Sequence, residues 1–203
     1  MLVLVFGVST GTVLAEDAVV FQEKFDAASD DGSVQTPGGY QSSDLGVTAA
    51  RALKKDAGIN NTGAIVLTAK FGSPDPASLA ALLYQNGSVT GNASAKCSDY
   101  YLEFDAKGSK AAKDISVIIQ DWRDDYFQGE SAGSLSTTVT LPETADTFKT
   151  YRVALDDAKL EGKFDPSGKT WQIAFQIFGS NWGEGEGNTL VIDNIKVVRK
   201  GTN

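Results

Sequence analysis

Apolar and polar side chains alternate residue by residue through long parts of this sequence. That two-residue period sends successive side chains to opposite faces of a β-strand. In residues 100–106, Tyr100, Leu102, Phe104 and Ala106 fall on one face and Tyr101, Glu103 and Asp105 on the other. In residues 115–122, Ile115, Val117 and Ile119 oppose Ser116, Ile118, Gln120 and Trp122. Residues 171–178 set Trp171, Ile173, Phe175 and Ile177 against Gln172, Ala174, Gln176 and Phe178. Tyr151, Val153 and Leu155 likewise oppose Thr150, Arg152 and Ala154. The four runs thus predict one mainly apolar face and a second that mixes amides, carboxylates, an arginine and rings. A merely solvated face would carry mostly Thr, Lys and Ser.

Further runs at 64–71, 135–141 and 189–198, with weaker ones at 19–26 and 82–85, stop at clusters of Gly, Pro, Asn or Asp. The alanines and leucines of 76–83 suit one short helix, and read equally as a change from helix to strand. Long helical periodicity, internal repeats and low-complexity linkers are absent from the sequence. Seven or more strands joined by turns predict an all-β fold, a single antiparallel β-sandwich. Residues 1–15 are uncharged, too short to span a bilayer as a helix, and end in Val13-Leu14-Ala15, a pattern like a secretory cleavage site. The expected organisation is a signal peptide over 1–15 and one secreted domain over 16–203. The alternative for the first segment is a buried first strand.

Composition narrows the chemistry. The 203 residues hold 26 Asp and Glu against 18 Lys and Arg, a net charge of −8, which argues against nucleic acid or an anionic membrane as partner. The absence of histidine removes Ser-His-Asp catalysis and histidine-ligated metals together. One cysteine, Cys97, cannot form an intrachain disulfide. Sequons at Asn60, Asn86 and Asn92 permit glycosylation only in a host that glycosylates. Carboxylates, amides and aromatic rings remain as the working groups.

Several motifs then fall into a familiar order: Thr62-Gly63-Ala64-Ile65-Val66-Leu67, Leu83-Tyr84-Gln85, Tyr100-Tyr101-Leu102-Glu103-Phe104-Asp105-Ala106-Lys107, Phe148-Lys149-Thr150-Tyr151-Arg152-Val153, and Leu190-Val191-Ile192-Asp193-Asn194-Ile195-Lys196-Val197. In order and spacing the chain resembles the carbohydrate-binding modules of families four, nine and twenty-two over residues 19–199. The resemblance implies a jelly roll of galactose-binding-like topology and a concave sheet face that binds glycan chains. It also implies a structural calcium ion tying the first and last strands, with Asp26 as the first-strand acid and Asp193 as the last-strand acid. Glu23 is the reserve ligand if the register moves by one residue. Oxygen ligands of this kind suit Ca²⁺, and the structural alternative for Asp193 is a hydrogen bond in a β-bulge or turn.

Sugar recognition needs flat rings against C–H faces and planar polar groups against hydroxyls. Trp122 and Gln120, Gln176, and Tyr101 with Glu103 supply these from three predicted strands, and Arg152 adds a donor fork. Trp182 stands in the glycine-bounded segment Gly179-Ser180-Asn181-Trp182-Gly183, where a large ring is costly to expose unless it packs or binds. Trp122 and Trp182 have one alternative role, capping the edge of the sandwich, whereas Trp171 belongs to the core face. The expected partner is a neutral or weakly charged β-glycan bound by a monomer without membrane insertion. Two other classes stay open: an adhesive or structural surface domain, and a glycosidase using paired carboxylates such as Glu103 and Asp105.

Overall fold

The computed structural model describes residues 16–25, 38–87, 96–122, 131–155, 159–162 and 170–201. The predicted signal segment 1–15 and Asp26 lie outside them. The described strands, in chain order, are β1 (Ala18–Glu23), β2 (Thr48–Lys54), β3 (Ala64–Phe71), β4 (Leu79–Gly87), β5 (Tyr100–Gly108), β6 (Asp114–Trp122), β7 (Ser131–Thr140), β8 (Lys149–Ala154), β9 (Lys159–Gly162) and β10 (Thr170–Phe178). One helical turn, α1 (Gly179–Trp182), precedes the long strand β11 (Gly185–Arg199). Among the described residues no helix is long and apolar enough to cross a membrane.

Two antiparallel sheets form. The first runs β2-β3-β11-β5-β8, with β1 also paired to β11; the second runs β4-β10-β6-β7-β9. One edge of β11 serves two partners, β3 along residues 185–192 and β1 along 195–199. The exchange falls where the register of β11 against β5 shifts, between Asp193 and Lys196. Asn194 adopts φ 48° there, a left-handed conformation that asparagine tolerates better than most residues.

The alternation places the core as expected. Tyr100, Leu102, Phe104 and Ala106 of β5 and Tyr151 and Val153 of β8 face Ile115, Val117 and Ile119 of β6 and Trp171, Ile173, Phe175 and Ile177 of β10, all buried in one cluster. Phe104 meets Phe175 edge-on across the two sheets at 5.0 Å and stacks on Tyr151 at 5.5 Å. Because β5 and β8 lie in one sheet and β6 and β10 in the other, burying all four apolar faces turns the polar faces to opposite sides of the molecule. This separation corrects the sequence expectation of one shared polar face. Residues 76–83 resolve as a turn and then strand: the turn at Asp75–Ser78, closed by Ser78 N–H on the Asp75 carbonyl, leads straight into β4 from Leu79. Pairing with β10 from Leu79 to Gly87 outweighs the helix propensity of the alanines and leucines.

Candidate functional site

On the outer face of the second sheet, register alone builds three rows. Ala81, Gln176, Ser116 and Thr138 form one across β4, β10, β6 and β7. Leu83, Ala174, Ile118 and Ser136 form the next, and Gln172, Gln120 and Ser134 the third, with Gln172 also paired to Gln85. Rows two residues apart are separated by about 7 Å, so the two polar rows flank a mainly apolar one over about 13 Å. Gln172 and Gln176 are buried, whereas Gln120, Ser116, Ser134 and Ser136 are half-buried. The predicted ligands Gln120 and Gln176 therefore share a face, and Gln172 joins them.

An aromatic ring that sequence reasoning did not select completes this face. Residues 38–41 lie along β4, with isolated bridges Gly38 to Leu83 and Gln41 to Ala80. Ala81 N–H donates to the Tyr40 carbonyl at 2.9 Å and Leu83 N–H to that of Gly38 at 3.0 Å. From this outer position the Tyr40 phenol reaches β10 and accepts a hydrogen bond from Gln176 Nε2. Ala81 stands between them in register, and its methyl group leaves room for the ring. Tyr40 stays 44% exposed, a large aromatic surface with its oxygen fixed. The sequence held the signal, since Gly38-Gly39-Tyr40 is an aromatic in a glycine-rich segment, the same criterion that selected Trp182.

Trp182 does not reach the face. It is 1% exposed in the core, and its Nε1 donates to the Asp114 carbonyl at 2.9 Å. Lysines pin its turn to the mouth of β6: Lys110 Nζ donates to the Trp182 carbonyl at 2.5 Å and Lys113 Nζ to the Asn181 carbonyl at 2.8 Å. Asn181 Oδ1 accepts from Asp114 N–H at 2.9 Å. So anchored, α1 drives the indole inward, and the capping alternative is the one realised. The backbone of Trp122 ends β6 opposite Thr170; its side chain lies outside the described residues.

Tyr101, Glu103 and Arg152 come together, but on the outer face of the first sheet, away from the glutamines. Register places Lys196, Glu103 and Arg152 in one row across β11, β5 and β8. Lys196 Nζ donates to Glu103 Oε1 at 2.8 Å and Arg152 Nε to Oε2 at 2.7 Å. The Arg152 guanidinium lies 4.8 Å from the Tyr101 ring centroid, and the Tyr101 hydroxyl donates to Asp17 Oδ2 at 3.0 Å. Burial pushes the Glu103 carboxyl up, yet the Lys196 and Arg152 hydrogen bonds outweigh it and hold the group below the ordinary glutamate value. Burial and the Asp17 hydrogen bond raise the Tyr101 phenol. One row along, Asp105 accepts from Thr150 Oγ1 at 2.5 Å and Asn194 Nδ2 at 2.9 Å. Both carboxylates thus act as cross-strand latches.

Asp193 is fully buried beside the bulge. Its Oδ2 accepts from Ile59 N–H at 2.9 Å and Thr62 Oγ1 at 3.1 Å, and its Oδ1 from Asn194 N–H at 2.6 Å. A Cβ on Gly58 would sit 2.5 Å from Oδ2, so only glycine lets the 58–62 turn close on the carboxylate. Burial raises the Asp193 carboxyl, and these three donors work against that shift. Donors surround it, which suits an anion and does not by itself supply a cation's ligands. Among the described residues no group of three or more Cys, Asp or Glu converges as a metal site.

No protein-family model and no curated protein matches the sequence. Solved structures match its fold. A family 11 carbohydrate-binding module from Clostridium thermocellum, in complex with a β-1,3-1,4-mixed-linked tetrasaccharide, superposes with a TM-score of 0.58 at 15% identity, covering 88% of this chain and 96% of that one. The family 30 module of the cellulosomal cellulase Cel9D-Cel44B of the same organism gives 0.53 at 16% identity, over 89% and 96%. An exo-β-agarase gives 0.57 at 12% identity over 89% of this chain and 25% of its own. At such identities the likeness concerns architecture, and the chain has the β-sandwich fold of these modules.

Proposed function

We propose that this chain is a non-catalytic carbohydrate-binding module that holds a neutral β-glycan along the outer face of its second sheet. The observation that carries the reading is the juxtaposition of Gln172, Gln120 and Gln176 with the exposed ring of Tyr40. Planar amides both donate to and accept from sugar hydroxyls, and a phenol face covers sugar C–H groups. The uncharged row of Leu83, Ala174, Ile118 and Ser136 between them is an apolar strip for sugar C–H groups. Trp122, the ring expected from the sequence alone, belongs to the same proposal. The net charge of −8 opposes polyanionic glycans. A mixed-linked glucan on a module of the same fold supports this ligand class.

Glu103 and Asp105, the carboxylates of the enzyme alternative, are committed to strand pairing, which favours binding without turnover. Export with removal of 1–15 belongs to the same proposal, and N-terminal sequencing of secreted protein tests it. Few anchors and many solvent-exchangeable contacts give dissociation constants in the millimolar to micromolar range, about −4 to −8 kcal/mol. The deciding experiment is a glycan array and insoluble-polysaccharide pull-down on the purified chain, followed by titration of the bound glycan. Tyr40→Ala and Gln176→Ala are expected to weaken capture while the protein stays folded. A folded wild-type protein that captures no neutral glycan would refute the proposal.

A further inference from the structure

The Tyr40 platform is held from the other sheet. Arg51, on the edge strand β2, reaches across the open side of the sandwich with a three-pronged grip. Its Nε donates to the Ala81 carbonyl at 2.6 Å. Its Nη2 donates to the Tyr40 carbonyl at 2.7 Å and to Gln41 Oε1 at 3.0 Å. Gly38 to Leu83 and Gln41 to Ala80 are in one register, which sets Tyr40 opposite Ala81. Ala81 N–H completes half of that pair by donating to the Tyr40 carbonyl, while the carbonyl of Ala81 receives the arginine. The guanidinium thus supplies a bond at the sheet edge and fixes the carbonyls on both sides of the same junction. Gly39 permits this approach, because a Cβ there would lie 1.9 Å from Arg51 Nε and 2.2 Å from the Ala81 carbonyl oxygen.

We infer that Arg51 is a positioning residue for the glycan site: it makes no contact with sugar, and it sets Tyr40 over Ala81 so that the phenol meets Gln176. The described partners of Arg51 are neutral carbonyl groups, so its charge serves here to strengthen a fork of hydrogen bonds. A platform held before the ligand arrives spares the ordering cost that a free loop would incur on binding. The inference rests on the proposed binding face, and it predicts a loss that passes through Tyr40 alone.

The test compares wild type, Arg51→Met, Gly39→Ala, Tyr40→Ala and the Arg51→Met/Tyr40→Ala double variant. Hydrogen exchange reports docking at the Ala81 and Leu83 amides without any ligand, and titration with mixed-linked β-glucan oligosaccharide reports affinity. Arg51→Met and Gly39→Ala should each speed exchange at those two amides. Each should weaken glycan binding by about tenfold, with the protein still folded at the assay temperature. In the Tyr40→Ala background, Arg51→Met should bring no further loss. Faster exchange with unchanged affinity overturns the positioning role, as does an equal loss with and without Tyr40. If Arg51→Met fails to fold, Gly39→Ala against Tyr40→Ala decides the same question. A folded wild type that binds no neutral glycan sinks the face itself and the role with it, and is told apart because the failure precedes any substitution.

Discussion

Trp182 offers the sharpest separation of core from site. Replacing it with alanine removes a side chain that is 1% exposed, and large aromatic truncations of this kind cost about 3–5 kcal/mol. The Asp114 carbonyl loses its indole donor as well, a loss worth about 1 kcal/mol because the backbone there is only part-buried. The sum of about 4–6 kcal/mol corresponds to a fall in Tm of about 8–24 °C for a domain of this size. Trp182→Phe should restore much of the packing but not the hydrogen bond, and should melt between the two. The assay is thermal unfolding followed by circular dichroism, paired with glycan titration at a temperature where Trp182→Ala remains folded. Melting should shift strongly while the dissociation constant stays within about threefold of wild type. If Trp182→Ala melts like wild type and loses glycan affinity, the indole faces ligand and the placement of α1 is wrong.

Trp171→Ala, also a core truncation, should cost about 3–5 kcal/mol in urea unfolding with glycan affinity spared in the folded fraction. Glu103→Gln should lower Tm by about 2–6 °C and leave glycan binding unchanged, since the latch lies on the far sheet; affinity lost without a change in Tm would return Glu103 to the site. The same variant bears on pH. The folded carboxyl titrates below the ordinary value of 4.5, so its stabilisation is complete above that value and is lost as pH falls through the folded one. Asp193, raised by burial, contributes with the opposite sign, so Glu103→Gln should show a shallower acid limb in Tm against pH. Calcium, implied by the resemblance, stands as a proposal: an ion shared by Asp26 and Asp193 would raise Tm in calcium over chelator, whereas identical curves leave Asp193 as the pin of the 58–62 turn.

How far the sequence carries depends on the range of the interaction that decides each feature. Strand alternation is local, and it assigned the inward residues of β5, β6, β8 and β10 correctly, down to Trp171 in the core. It also put Gln120 and Gln176 outward together. Nothing local states which strands share a sheet, and that step separated Tyr101, Glu103 and Arg152 from the glutamines. Once β5 pairs with β8 and β11, Lys196 and Arg152 face Glu103 in register and both pair with its carboxylate, so a set that read as ligand-binding becomes a latch.

Trp182, selected as a ligand, and Tyr40, not selected at all, show the same limit in a finer form. Trp182 and Tyr40 both stand in glycine-bounded segments that alternation leaves unassigned. Their fates are set by anchors 68 to 72 residues away for one and 11 to 136 for the other: Lys110, Lys113 and Asp114 draw the tryptophan inward, while Arg51, Ala81 and Gln176 spread the tyrosine outward. A glycine-rich segment frees the backbone to go either way, and long-range donors choose. Trp182 brings its own indole N–H into the core and finds the Asp114 carbonyl waiting, so inward packing leaves no polar atom of the ring unsatisfied. Tyr40 meets an amide on the outer face, which satisfies the phenol and leaves the ring surface open. An exposed aromatic whose polar atom is already bonded to Gln176 keeps its ring surface free to stack, which is the property the proposed glycan site asks of Tyr40.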